Sequence, residues 1–262
     1  MVTSASLLVN TPGFDDAVRR VSALGARLGT GLHFNLTMGA PVSLPDTVRS
    51  LVDRAGRFLP LARLVRRALA GGVRPEEVRR EAEAQFVRLA AAGLRITHAD
   101  SHRHVHALPW VRGALAAAAT DAGVPVVRRP LEPFLARPIT AAGAVKRLAL
   151  AVAWAMPVRR PRHGERRGAA GAAARAPKSV RFRGLALSGG PGFATGLRAL
   201  LDALPEGTTE LMVHPGRADQ AVASWDSYVE EREVELEGLL SAPVRDRLRR
   251  GDFELTHFGA LD

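Results

Sequence analysis

Short apolar segments alternate with longer amphipathic ones along most of the chain. That order lays strands side by side in parallel and carries the chain back over them by helices. Strands are predicted at residues 6–9, 31–36, 96–99, 124–127, 184–187, 210–213 and 254–256, and helices at 15–24, 75–92, 110–122, 142–155, 196–204 and 229–240. The helix at 75–92 has clear local logic. Pro75 sits at its first turn, Glu76 and Glu77 lie at the positive end of the dipole, and Gly93 follows its C-terminus. Near-regular alternation predicts an α/β fold, either a β/α barrel or a doubly wound sheet, with no internal repeat. A chain of 262 residues can bury roughly three quarters of its unfolded surface, enough for a core without covalent staples. A single domain spanning 1–262 is the expectation.

Cysteine is absent, which excludes disulfides, thiolate zinc sites, iron–sulfur ligation and a cysteine nucleophile; any metal must be held by His, Asp or Glu. The formal charge is +11, but it is unevenly placed. Residues 159–183 carry nine Lys or Arg against the single acid Glu165, leaving the remainder close to neutral. The Arg/Ala/Gly-rich part of this run, at about 157–178, has no aromatic and almost no branched apolar side chain. It reads as a flexible surface insertion. Its alternative reading is a docking element for an acidic polymer or a membrane surface, on an otherwise non-catalytic barrel. Nucleic acid is an unlikely partner, since no stacking aromatics accompany the charges. The apolar stretch at 142–156 is too short to span a bilayer and contains Lys146 and Arg147. No secretion signal is evident at the N-terminus, so a cytoplasmic location without a transmembrane segment is expected.

Four of the eight histidines fall in one short string, HADSHRHVH, from His98 to His106. If that segment is extended, Asp100, His102, His104 and His106 project to one side. Three imidazoles and a carboxylate suit a hard or borderline cation, and Asp100 could fix the tautomer of a ligating ring. A polar strand end with backbone-bonded histidines is the bland alternative. Two further strings carry histidines on strand-like runs. GLHFNLT places His33 and Asn35 on one face, and ELMVHPG puts His214 at the C-terminal end of a strand, where β/α barrels gather reactive groups. Arg128 and Arg129 follow the predicted strand at 124–127; Arg128 is a candidate substrate contact, with a plain surface charge as the equal alternative for both.

Taken together, GLHFNLT, HADSHRHVHALP and ELMVHPG resemble the YdjC family of carbohydrate deacetylases, which includes chito-oligosaccharide deacetylases and hopanoid-biosynthesis relatives. The likeness extends through the first residues, LVDRAGRF at 51–58 and the segment from Arg232 to Phe258, and omits the Arg-rich insertion. It implies a β/α barrel that removes an acetyl group from an N-acetylated sugar or glycolipid using one divalent ion, magnesium by family habit, with zinc also suited to imidazole and carboxylate ligands. By the same likeness His33 and His102 are the histidine ligands, and His214 lies in the pocket as a proton donor or orienting group. Asp100 then supports a ligand.

The family pattern begins with an Asp-Asp-Phe-Gly-like strand end that supplies a third ligand and a water-activating carboxylate, and this motif has no counterpart here. Phe14-Asp15-Asp16 does not replace it, because it opens a helix after the first strand. The barrel is therefore expected to lack its first β/α unit, whether by a mis-assigned start or by true loss. Weak ion binding and impaired activity follow from that, and exposed sheet edges would favour a homodimer.

Overall fold

The computed structural model describes residues 1–133, 141–158, 180–187 and 189–261. Most of the Arg-rich insertion lies outside these residues. In chain order the regular elements are β1 (Ser4–Leu7), α1 (Phe14–Leu24), β2 (Gly29–Phe34), α2 (Leu61–Leu69), α3 (Pro75–Ala91), β3 (Ile96–Ser101), α4 (Pro109–Asp121), α5 (Ala141–Ala155), β4 (Arg181–Arg183), α6 (Phe193–Asp202), β5 (Thr209–Leu211), α7 (Gln220–Ala223), α8 (Glu230–Leu240) and α9 (Ala242–Leu248). They form a mixed α/β structure with parallel sheets. The described residues fall into two compact units, one from 2–129, 153–158 and 256–261, the other from 1, 130–133, 141–152, 180–187 and 189–255.

In the first unit the parallel sheet runs β1-β2-β3, with Ser6 opposite Gly31, and His33 opposite Asp100. Strand periodicity gives it two unlike faces. Leu32, Phe34 and Ala99 point to the side covered by α3 and α4, where they join Phe86, Leu89, Val111 and Leu115 in one buried cluster. Ser6, Gly31, His33, His98 and Asp100 occupy the opposite face. Continuous burial along β2 and β3 is the mark of a parallel sheet covered on both sides.

Helix α3 is buried through polar groups as well as apolar ones. Glu77, Glu81 and Gln85, spaced one turn apart, face the long connection after β2. Glu81 accepts from the backbone N–H groups of Val42 (2.9 Å) and Ser43 (3.0 Å), Glu77 from that of Ser50 (2.7 Å), and Gln85 from that of Asn35 (3.0 Å). A connection of this length carries donors that no sheet or helix satisfies, and this helix face supplies the acceptors.

The second unit has β4 and β5 paired in parallel, and a core of Leu197, Leu200 and Leu201 from α6, Leu239 from α8 and Val244 from α9. Its buried carboxylate, Glu132, pairs with the equally buried Arg147 of α5 at 3.0 Å and accepts from the backbone N–H groups of Gly184 (3.1 Å) and Ala186 (3.0 Å). These bonds account for one departure from expectation. The run at 184–187 is buried as predicted, but as a turn wrapped on Glu132, and the strand precedes it. Gly184 has a φ of 122°, and a Cβ there would lie 2.3 Å from the carbonyl oxygen of Met212, so only glycine fits where the strand gives way to the turn.

Two other predicted strands differ. Residues 124–127 contribute a single parallel bridge, Val127 to Ala99, flanked by two backbone hydrogen bonds. Residues 254–256 form no strand. Helices α2, α7 and α9 are not among the predicted elements; they have four to nine residues, too short to establish a period.

Candidate functional site

The polar face of the first sheet is built around register. Pairing β2 with β3 sets His33 beside Asp100, and the His33 Nδ1 lies 2.7 Å from the Asp100 carboxylate and 3.3 Å from the Ser6 hydroxyl. Arg128, just past the Val127 bridge, places its guanidinium 2.5 Å from the other carboxylate oxygen. Asp100 is fully buried. Burial alone would raise its pKa, but the facing Arg128 and His33 outweigh that and hold the carboxyl well below the usual range. An ionised Asp100 keeps the proton of neutral His33 on Nδ1, which turns Nε2 away from the pair.

His102 follows the end of β3. Its ring centroid stands 5.8 Å from that of His33, at 77° between planes. The segment does not stay extended, as predicted for it. After Ser101 the chain coils into short turns in which Arg103 and His104 both have φ of 52°. Left-handed backbone is unfavourable for residues with a side chain, and two in succession is a local cost found mostly where function or packing over-determines the geometry. The coil breaks the period of two. His106 turns inward, fully buried, with Nδ1 2.5 Å from the Ser101 hydroxyl. His104 lies against it, ring centroids 6.0 Å apart. Only His102 of the three is beside His33.

The neighbouring polar residues are held by packing and by hydrogen bonds of their own. His98 is buried against Phe258, with centroids 4.7 Å apart, and hydrogen-bonds Thr97 at 3.0 Å. Its ring fills the space over Gly31, where a Cβ would come within 2.5 Å of Nε2. Burial pushes the His98 imidazole down to about 4 and that of His106 to about 3. Asn35, predicted beside His33, instead fixes the chain after β2, donating to Asn10 (3.0 Å) and Met38 (2.7 Å). Asp15 is exposed and Asp16 pairs with Arg19 and Arg20, so neither approaches this cluster as a ligand.

Two imidazoles at this spacing are compatible with one ion bonded to each at about 2.1 Å. Among the described residues, no group of three or more His, Asp or Glu is arranged to hold a metal. The fit is therefore a pair, with an oriented His33 and with the His102 Nε2 accepting from Arg103 at 3.3 Å. An ion at that nitrogen would displace Arg103.

In the second unit His214 lies three residues beyond β5, at the strand's C-terminal end as predicted. Its surroundings were not predicted. Glu235 of α8, with its side chain 1% exposed, accepts from the His214 backbone N–H and lies 3.6 Å from its Nδ1. The hydroxyl of Tyr228 donates to the same carboxylate, and its ring stands 5.3 Å from the imidazole. Burial would raise the pKa of Glu235, but its bonds from His214 and Tyr228 lower it overall. The one signal in the sequence was that Tyr228 is the sole tyrosine.

Comparison with known proteins points the same way as the three histidine strings. The family model described as YdjC-like protein matches residues 1–250. A carbohydrate deacetylase of Brevibacillus brevis is 33% identical over all of this chain and 89% of its own length. A chitooligosaccharide deacetylase of Yersinia pestis is 33% identical over 48% of each chain. A solved Enterococcus faecalis structure, provisionally described as a cellobiose-phosphate cleavage protein, superposes with a TM-score of 0.67 over 94% of this chain and 83% of its own, at 24% identity.

Proposed function

The chain belongs to the YdjC-like family, and on that premise we propose that it is a carbohydrate deacetylase, hydrolysing the acetamide of an N-acetylated sugar or glycolipid. Its relatives named for this activity support the reaction class. The observation that carries the site is the juxtaposition of His33 and His102 on the polar sheet face, with Asp100 behind His33.

In this reading His33 and His102 hold one divalent ion, magnesium before zinc, whose chemistry when bound is to polarise the acetyl carbonyl and acidify water. Asp100 keeps the His33 Nδ1 protonated, so that Nε2 is the nitrogen offered to the ion. Arg128 neutralises Asp100 and, 11% exposed at its side chain, remains the candidate contact for the sugar. His214 gives a proton to the departing sugar nitrogen as the C–N bond breaks. Two protein ligands predict weak ion binding and hence an impaired enzyme unless another ligand completes the site. A β/α barrel in one domain, a cytoplasmic location and a homodimer belong to the same reading. Parallel strands in both sheets and a family match running through 1–250 support the first. No helix among the described residues is long and apolar enough to cross a membrane.

The test is acetate release from N-acetylglucosamine oligomers. The wild-type chain should release acetate and one new amine per acetate. His102→Ala should lower the rate by roughly 100-fold or more while leaving the thermal midpoint within a few degrees. Undiminished release by His102→Ala would remove that residue from the site.

A further inference from the structure

The group around His214 has a geometry that its neighbours in sequence do not explain. Glu235 is buried, comes from a different element, and reaches His214 twice, at the backbone N–H and on the Nδ1 side of the ring. Tyr228 caps the same carboxylate through its hydroxyl. That hydroxyl is held from behind, because the loop at Gly189 runs so close that a Cβ there would lie 2.5 Å from it and 2.1 Å from the Glu231 Cβ. Arg232 fixes the other end of the tyrosine, donating to its carbonyl at 2.7 Å, and is itself paired with Asp226 at 2.8 Å. The charged groups close to the His214–Tyr228 pair are thus Glu235 and Glu231 on one side and the Arg232–Asp226 pair on the other.

A buried carboxylate with two neutral donors and one imidazole edge has one unbalanced charge, and the imidazole is the group able to balance it. We propose that Glu235 is a positioning residue for His214, assisted by Tyr228. It holds the neutral ring in the Nδ1–H tautomer and stabilises the imidazolium, so that Nε2 is the nitrogen that exchanges a proton with substrate. Water adds to the acetyl carbon and gives up a proton, imidazolium gives its Nε2 proton to the sugar nitrogen, the C–N bond breaks as the carbonyl re-forms to leave acetate and an amine, and the ring remains as the Nδ1–H form facing Glu235. This inference rests on the proposed deacetylation for its catalytic meaning, while its structural content stands without it.

The test reads the two nitrogens of His214 by ¹⁵N nuclear magnetic resonance in the substrate-free protein near pH 8, with the signal assigned by comparison with His214→Gln. The wild type should show the Nδ1–H pattern, and a predominant Nε2–H pattern in the wild type overturns the proposal whether or not any variant folds. Glu235→Gln should lose that preference, since an amide can donate to Nδ1, whereas Tyr228→Phe should keep it. Retention of the Nδ1–H pattern in folded Glu235→Gln also overturns it. In acetate release, Glu235→Gln should lower kcat about 10-fold or more with KM changed less than twofold. Loss confined to KM contradicts a positioning role. A wild type that releases no acetate defeats the deacetylase reading alone, leaving the tautomer result to decide this one.

Discussion

Gly31 and His98 form a pair in which the missing side chain of one is the space occupied by the other. The His98 ring is stacked on Phe258 and bonded to Thr97, so it cannot swing aside cheaply. Gly31→Ala should therefore destabilise the protein by about 1–3 kcal/mol, read as a lower urea midpoint with an unchanged slope. An unchanged midpoint would mean that the ring has room to move. His98 and His106 also predict an acid sensitivity. Their folded pKa values, about 4 and about 3, lie below the unfolded value near 6.5, so the unfolded chain binds protons first as the pH falls. The stability they protect is complete above about pH 6.5 and is lost on acidification, by ~2 kcal/mol per histidine at pH 5. Urea titrations at pH 7.5 and 5 should show that loss, reduced in His98→Phe; equal midpoints at both values would refute it.

At the level of elements, what was legible followed period and length. The helices at α3 and α4 begin within a residue of their predicted starts, because Pro at the first turn and Gly after the end punctuate long runs. The first three strands were found with a two-residue offset in β1 and β2. The turn at 184–187 reads as a strand because three consecutive buried apolar residues look alike in a strand and in a turn folded over a buried carboxylate. The histidine string failed for another reason. Its alternation is real in sequence, but the left-handed pair at Arg103 and His104 breaks the face it implied, and neither residue type announces that conformation. Nor does a sequence reveal that a helix carries acceptors for a distant loop. Glu81→Ala would orphan the N–H groups of Val42 and Ser43, and should cost ~2–4 kcal/mol. Hydrogen exchange should locate the loss in the connection after β2. Protection there matching the wild type would show that other acceptors suffice.

At the scale of the whole molecule, the excess of positive charge is concentrated in one basic run of the sequence. Outside the basic run many arginines are paired, Arg79 with Glu83 and Asp121, Arg198 with Asp202, and Arg247 with Asp202 and Asp252. The apolar side of the first sheet supports α3 and α4 while its polar side collects Ser6, His33, Asp100 and Arg128. Residues 33, 100, 102 and 214 could be chosen from the sequence because their strings are distinctive, and Arg128 only as one of two charges after a predicted strand. Glu235 and Tyr228 could not, since their contribution depends on tertiary approach. On the proposed reading His33 and His102 share one divalent ion on which deacetylation depends. This is tested most directly by calorimetric titration of the chelator-treated protein with Mg²⁺ and with Zn²⁺, acetate release being followed in parallel. About one ion should bind per chain, activity should rise with occupancy, and both should be lost in the His33→Ala/His102→Ala double variant. Acetate release at full rate without any bound ion, or unaltered ion binding by the double variant, would contradict it.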